Sequence, residues 1–126
     1  MRIVALIGSP RKGGNSDILA DKVLQGARDA GADVSKVYLD DKKIRPIAEV
    51  GDFTSERLDT RDNDDFTEVL ESFLDADLVV FSSPVYWQGV SAQLKCYIDR
   101  LSSYFKRPPY AERFDNARAR LNMGIG

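Results

Sequence analysis

The chain has no histidine and a single cysteine, Cys96, among its 126 residues. Without histidine, the Ser-His-Asp and Cys-His catalytic arrangements are excluded. A lone thiol cannot close an internal disulfide, so a reducing cytosol suits this chain and a disulfide-stapled secreted scaffold does not. With so few nitrogen and sulfur ligands, neither a structural zinc nor an iron–sulfur centre is expected within one chain, and no metal site is assigned. No stretch approaches the ~20 apolar residues of a membrane span. The opening Met1-Arg2-Ile3-Val4-Ala5-Leu6-Ile7 runs into a glycine loop, not a cleavage site, so no leader peptide is read. Eighteen Lys and Arg against twenty Asp and Glu leave a net charge of −2, which calls for neither nucleic acid nor an anionic membrane as partner. The expectation is one cytoplasmic domain over 1–126.

What is present is ordinary globular material, 43% hydrophobic and 30% charged. Ile3 to Ile7 and Leu78 to Phe81 are continuous apolar runs, the pattern of strands buried on both faces inside a parallel sheet. Val34 to Leu39 alternates and reads as a half-exposed strand near a sheet edge. A first helix follows residue 15 or 16, with Asn15 or Ser16 as cap, Leu19, Val23 and Ala27 on its inner face, and Gly31 as its stop. Residues 40–63 are polar and irregular, a long excursion. Phe66, Val69, Leu70, Phe73 and Leu74 mark an amphipathic helix led in by Asp62 to Asp65. Ser91 caps another, with Leu94, Tyr97, Ile98 and Leu101 facing inward. Residues 106–116 read as a polar connection, and Ala117 to Ile125 as a fourth strand. Strands alternating with helices predict an α/β fold with a parallel sheet between helical layers.

Two loops leave the carboxyl ends of the buried strands, where open α/β sheets bind ligands. The first is Gly8-Ser9-Pro10-Arg11-Lys12-Gly13-Gly14-Asn15-Ser16, which enters a helix N-terminus. There, free N–H groups and the helix dipole favour an anion. Gly14 lets the backbone approach, Ser9, Asn15 and Ser16 offer donors, and Arg11 offers a charged fork. The spacing is neither a Walker A loop nor a G-x-G-x-x-G fingerprint. The second loop carries Pro84, Val85, Tyr86, Trp87 and Gly89. It adjoins the first if strands one and three are neighbours, and its aromatics then offer a flat ring a surface.

These two loops resemble those of the flavodoxin-like NAD(P)H-dependent FMN reductases, particularly the branch containing the iron–sulfur flavoproteins. The motifs are Gly8-Ser9-Pro10-Arg11 with Gly14-Asn15-Ser16, and Ser83-Pro84-Val85-Tyr86-Trp87 with Leu94-Lys95 and Ile98-Asp99-Arg100. The resemblance runs from Met1 to about Arg113 and implies a flavodoxin-like three-layer sandwich of strand order 2-1-3-4-5. This chain stops near the end of the fourth strand, so the expected order is 2-1-3-4, with the fifth strand absent and the domain C-terminally truncated. The resemblance implies that Ser9, Arg11, Asn15 and Ser16 hold the phosphate of FMN, and that Pro84 to Gly89 border its ring. The segment matching the cluster-bearing region of the iron–sulfur branch has no cysteine here, so no cluster is expected.

The activity so implied is an oxidoreductase that takes electrons from NAD(P)H through FMN to a small-molecule acceptor such as a flavin or quinone; no residue is assigned as catalytic. Two alternatives stand beside it: an FMN-holding electron-transfer module, and a truncated, non-catalytic relative acting through association. A homodimer or larger homo-oligomer is expected, because a missing fifth strand leaves an open sheet edge and because Tyr97, Leu101, Tyr104 and Phe105 crowd one short helix. Blander readings fall to Cys96 as a structural thiol, to Asp62, Asp64 and Asp65 as a helix cap, and to Lys106, Arg107, Arg113, Arg118 and Arg120 as a solvated face.

Overall fold

A computed structural model describes residues 1–47, 64–105 and 107–123, the last six of these by backbone alone. Strands β1 (Arg2–Ile7), β2 (Asp33–Tyr38) and β3 (Leu78–Ser82) form a parallel sheet of order β2-β1-β3. Ile7 pairs with Tyr38 on one side and Ser82 on the other, so the carboxyl ends of all three strands lie together. β1 takes the middle place and is buried from Ile3 to Ile7. Helices cover both of its faces, which is why its sequence is apolar without alternation.

Helix α1 (Asn15–Asp29) covers one face, packing Ala20 and Leu24 onto Ile3, Ala5 and Ile7. Helices α2 (Phe66–Asp75), α3 (Ala92–Ser102) and α4 (Tyr110–Met123) cover the other, around Val4, Leu6, Leu70, Leu94 and Tyr97. The α/β three-layer arrangement is therefore the one expected. The neighbouring of β1 and β3, on which the joining of the two loops depended, is observed.

The C-terminal expectation is corrected. The stretch expected as a polar connection and fourth strand is helical from Tyr110 to Met123, and residues 124–126 lie outside the described part. Alternation of Leu121, Met123 and Ile125 was too short a signal, since Phe114 and Tyr110 lie one helical turn apart and both join the core. Among the described residues the sheet thus has three strands, and β3 is an edge with Leu78 and Phe81 exposed.

The inner face of α1 is corrected too. Leu19, Val23 and Ile18 are exposed, and Asp17, Ala20 and Leu24 are buried. Both sets fit a 3.6-residue period; a buried carboxylate disguised the true one. The cap is Gly14, with no side-chain hydrogen bond, in place of Asn15 or Ser16. Gly31 follows as expected, at φ +93°.

Arg100 is fully buried, at 0% exposed. Its Nη1 donates to the Asp64 carboxylate at 2.7 Å and to the Arg45 carbonyl at 3.1 Å, and its guanidinium lies 4.7 Å from the Phe66 ring centre. Asp64 also accepts the Arg45 N–H at 2.9 Å and the Phe66 N–H at 3.0 Å. The N-cap residue of α2 is Asp65, whose side chain makes no cap bond; Asp64 beside it meets the Phe66 amide and joins a buried ion pair that ties residue 45 to residue 64. Asp62, like the excursion from 48 to 63, lies outside the described residues.

Tyr97 on α3 and Tyr104 just beyond it are covered by their own chain. Tyr97 and Tyr104 pack on Phe66, and Tyr110 packs on Tyr104 at 5.1 Å. Phe105 is half-exposed against Phe114. Crowding on α3 therefore gives no argument for an oligomer. Of the presumed solvated basic face, Arg107 is buried over Tyr104, while Arg113 pairs with Glu71 and Asp75.

Candidate functional site

The two loops meet at Gly8. Its N–H donates to the Ser82 carbonyl at 2.7 Å, and its carbonyl accepts the Ser91 hydroxyl at 2.7 Å. A Cβ at Gly8 would stand 2.7 Å from Ser91 Oγ and 3.0 Å from Leu94 Cβ, so the approach of β1's end to the start of α3 requires glycine. The Ser82 hydroxyl reaches the Ser16 carbonyl at 2.6 Å, bringing α1 to the same place.

In the first loop, the Ser9 hydroxyl accepts the Arg11 N–H at 3.2 Å and donates to the Arg11 carbonyl at 3.1 Å. Ser9 is thereby buried and shapes the turn, and Gly13 adopts φ +76°. The Arg11 side chain folds back over Gly14, where a Cβ would lie 2.9 Å from Nε. Gly14 is buried beneath it, Asn15 is exposed and Ser16 half-exposed. The first N–H groups of any α-helix have no partner within the helix. In α1, among the described residues, no side chain caps them, and the Arg11 guanidinium leans over that end. α3 differs: its Ser91 hydroxyl accepts the Leu94 N–H at 3.3 Å, closing that end with the protein's own oxygen. Of the two helices that start at the site, α1 is the one whose amides are open to an anion.

Under the first loop lies a polar network that the sequence did not reveal. Asp17, 2% exposed, accepts the Gly13 N–H at 2.8 Å and the Tyr38 hydroxyl at 3.0 Å, and pairs with Lys36. Burial pushes its carboxyl upward, but the Gly13 N–H, Lys36 and Tyr38 outweigh that and hold it below the usual carboxylate range. The Tyr38 ring carries the Lys36 and Lys12 ammonium groups at 4.7 and 4.8 Å from its centre. Asp17 was legible only as an acidic residue in a first helical turn.

The second loop is closed at its base by Ser83, whose hydroxyl accepts the Ser91 N–H at 2.9 Å. Its tip is a two-residue hairpin: Tyr86 and Gly89 exchange both backbone hydrogen bonds at 3.0 Å. Between them Trp87 and Gln88 stand at φ +50° and +63°. Two positive-φ residues in a tight hairpin match the type I′ turn, which glycine and asparagine favour. Here a tryptophan and a glutamine bear that strain, a pattern that concentrates at ligand sites. Trp87 is 100% exposed; Val85, Tyr86 and Gly89 are exposed and Pro84 half-exposed.

Among the described residues, no group of three or more His, Cys, Asp or Glu side chains is placed to hold a metal ion, and no helix is long and apolar enough to cross a membrane. Cys96 is half-buried on α3.

Known proteins resemble this arrangement. A Bacillus subtilis protein assigned as an NAD(P)H-dependent FMN-containing oxidoreductase, YwqN, is 33% identical over 89% of this chain and 58% of its own length. An iron–sulfur flavoprotein of Archaeoglobus fulgidus is 35% identical over 86% of this chain and 49% of its own. The chain thus spans about half the length of the curated relatives it matches. Among solved structures, a flavone reductase superposes with a TM-score of 0.63 at 29% identity, covering 80% of this chain and 30% of that one. The Trp repressor binding protein of Bacillus subtilis superposes at 0.56 with 26% identity, over 94% of this chain and 55% of its own. The family model described as NADPH-dependent FMN reductase matches residues 1–115, and the chain belongs to that family.

Proposed function

We propose that this chain holds FMN and serves an oxidoreductase that draws electrons from NAD(P)H and passes them to a small-molecule acceptor. The observation that carries the reading is the open N-terminus of α1, wrapped by a loop that brings Arg11 over it. The residues present fit the group. In this reading the phosphate sits at Gly14, Asn15 and Ser16, with Arg11 supplying charge and Ser9 holding the loop's shape. The ring lies along Pro84 to Gly89, where Tyr86 and Trp87 present exposed aromatic surface and the Gly89 backbone can approach. Bound FMN would supply the redox chemistry between NAD(P)H and the acceptor. The protein's part is to bind, orient and shield.

A flavin or a quinone is the acceptor class that agrees with the family. The lone thiol agrees with a reducing cytosolic setting. Self-association is part of the proposal: β3 lacks a second neighbour among the described residues, and Ile18, Leu19 and Val23 leave an apolar stripe on α1. Sedimentation at micromolar concentration tests that element, and a clean monomer overturns it.

The test of the main reading is titration of FMN with the purified protein, followed by NADH and NADPH oxidation with a quinone or ferricyanide present. Quenching of flavin fluorescence together with acceptor-dependent oxidation is expected. FMN binding without oxidation would favour an electron-transfer module, and an absence of quenching at tens of micromolar protein would sink the flavin reading.

A further inference from the structure

We propose that Asp17 is a positioning residue for the first loop: its buried carboxylate pins the Gly13 amide, and thereby orients Arg11 and the open amides of α1 toward a phosphate monoester. The inference rests on the phosphate reading above and deepens it. Gly13 stands at φ +76° between Arg11 and Gly14, the one place where the loop reverses before the helix begins. Its N–H is spent on Asp17 Oδ2 at 2.8 Å, so it is not among the amides offered to a ligand. That bond fixes the turn, and the turn decides where the Arg11 guanidinium lies above Gly14.

A carboxylate near an anion site is unfavourable unless its charge is met. Lys36 meets it directly, with its side chain 18% exposed and that of Asp17 3%. The Tyr38 hydroxyl adds a second donor to Oδ2 at 3.0 Å. The pair is anchored on α1 and on β2, so the loop inherits the stiffness of the sheet. Each part of the network faces the loop from below and none is needed to touch the ligand.

The experiment compares Asp17→Ala and Asp17→Asn with the unmodified chain. Three quantities are read: affinity for FMN, affinity for riboflavin, and hydrogen exchange of the Gly13 amide without ligand. Asparagine keeps an acceptor for Gly13 but loses the ion pair with Lys36; alanine loses both. Both variants should lose stability. In Asp17→Ala, FMN affinity should fall about 10-fold with riboflavin affinity little changed, and the Gly13 amide should exchange faster. In Asp17→Asn, FMN preference and Gly13 protection should be largely retained. Parallel losses for both ligands in both variants would show a merely structural role and overturn the proposal. So would a Gly13 amide exchanging equally fast in the unmodified chain and Asp17→Ala, whatever the flavin does. If the unmodified chain binds riboflavin as well as FMN, the phosphate reading falls first and takes this one with it, while Gly13 protection would still report the hydrogen bond.

Discussion

The Ser91 hydroxyl bridges two elements far apart in sequence, donating to the Gly8 carbonyl at 2.7 Å while accepting the Leu94 N–H at 3.3 Å. One buried oxygen thus caps α3 and fastens the first loop to the second. Ser91→Ala should therefore cost about 1–3 kcal/mol, because it removes a cap and leaves a buried carbonyl without its donor. Gly8→Ala should destabilise comparably through its clash with Ser91 Oγ, and the two changes should be non-additive, since alanine at 91 relieves part of that clash. Urea unfolding of the two single variants and the double variant measures the coupling; strict additivity would contradict it.

Arg11→Ala should weaken FMN by roughly 10- to 100-fold and leave riboflavin nearly unaffected, the loss expected for a charge-assisted hydrogen bond of about 1.5–3 kcal/mol. Fluorescence titration of both flavins reads this out. Equal losses would place the guanidinium elsewhere than at the phosphate.

The Arg100–Asp64 pair has both side chains 0% exposed. Removing Asp64 alone should cost about 3–5 kcal/mol, because it strands a buried charge. Burial pushes the Asp64 carboxyl upward, but bonds from Arg100 and from the N–H groups of Arg45 and Phe66 hold it below its ordinary value, as at Asp17. A depressed folded-state pKa gives stability that is complete above the unfolded pKa, about 4, and lost as pH falls through the folded value. Stability should thus be flat from neutrality to about pH 5 and then decline steeply. Asp64→Asn should flatten that acid limb; an unchanged limb would exclude Asp64 as its source.

Gln88→Gly should stabilise the protein by about 1 kcal/mol, since glycine takes φ +63° without the penalty an L side chain meets there. Thermal melting checks this. A fall in stability would mean that the glutamine side chain holds the hairpin by a contact of its own.

Tyr97 is buried against Phe66 and Phe73, and its hydroxyl has no hydrogen-bond partner among the described residues. Burial alone drives its pKa upward. Tyr97→Phe should be neutral or stabilising by about 1 kcal/mol, because an unsatisfied buried hydroxyl carries a desolvation penalty. A marked loss of stability by denaturant titration would reveal a partner for the oxygen.

The parallel sheet was legible because Ile3 to Ile7 and Leu78 to Phe81 are uninterrupted apolar runs, which a strand covered on both sides needs. The two loops were legible because glycines, hydroxyls and an arginine cluster between strand and helix. What stayed hidden shares one physical cause. Asp17, Arg100 and Arg107 are polar residues buried through partners distant in the chain, and periodicity counts a polar residue as exposed. That error moved the inner face of α1 by one position and hid Arg100 within α3. At the other end, Phe114 and Tyr110 belong to a helix whose pattern is too weakly amphipathic to outvote the alternation of Leu121, Met123 and Ile125 toward the chain's end.

Two helices begin at the site, and they end their amide rows differently. α3 is sealed by Ser91, while among the described residues α1 has no side chain doing that job. A phosphate bound there would act as the missing cap, so ligand and helix would finish each other. Occupancy then becomes visible as resistance to unfolding: at a hundred times its dissociation constant, a ligand that favours only the folded form adds about 2.7 kcal/mol. Most of that gain should appear as slowed exchange in the first turn of α1, while the sealed end of α3 changes little.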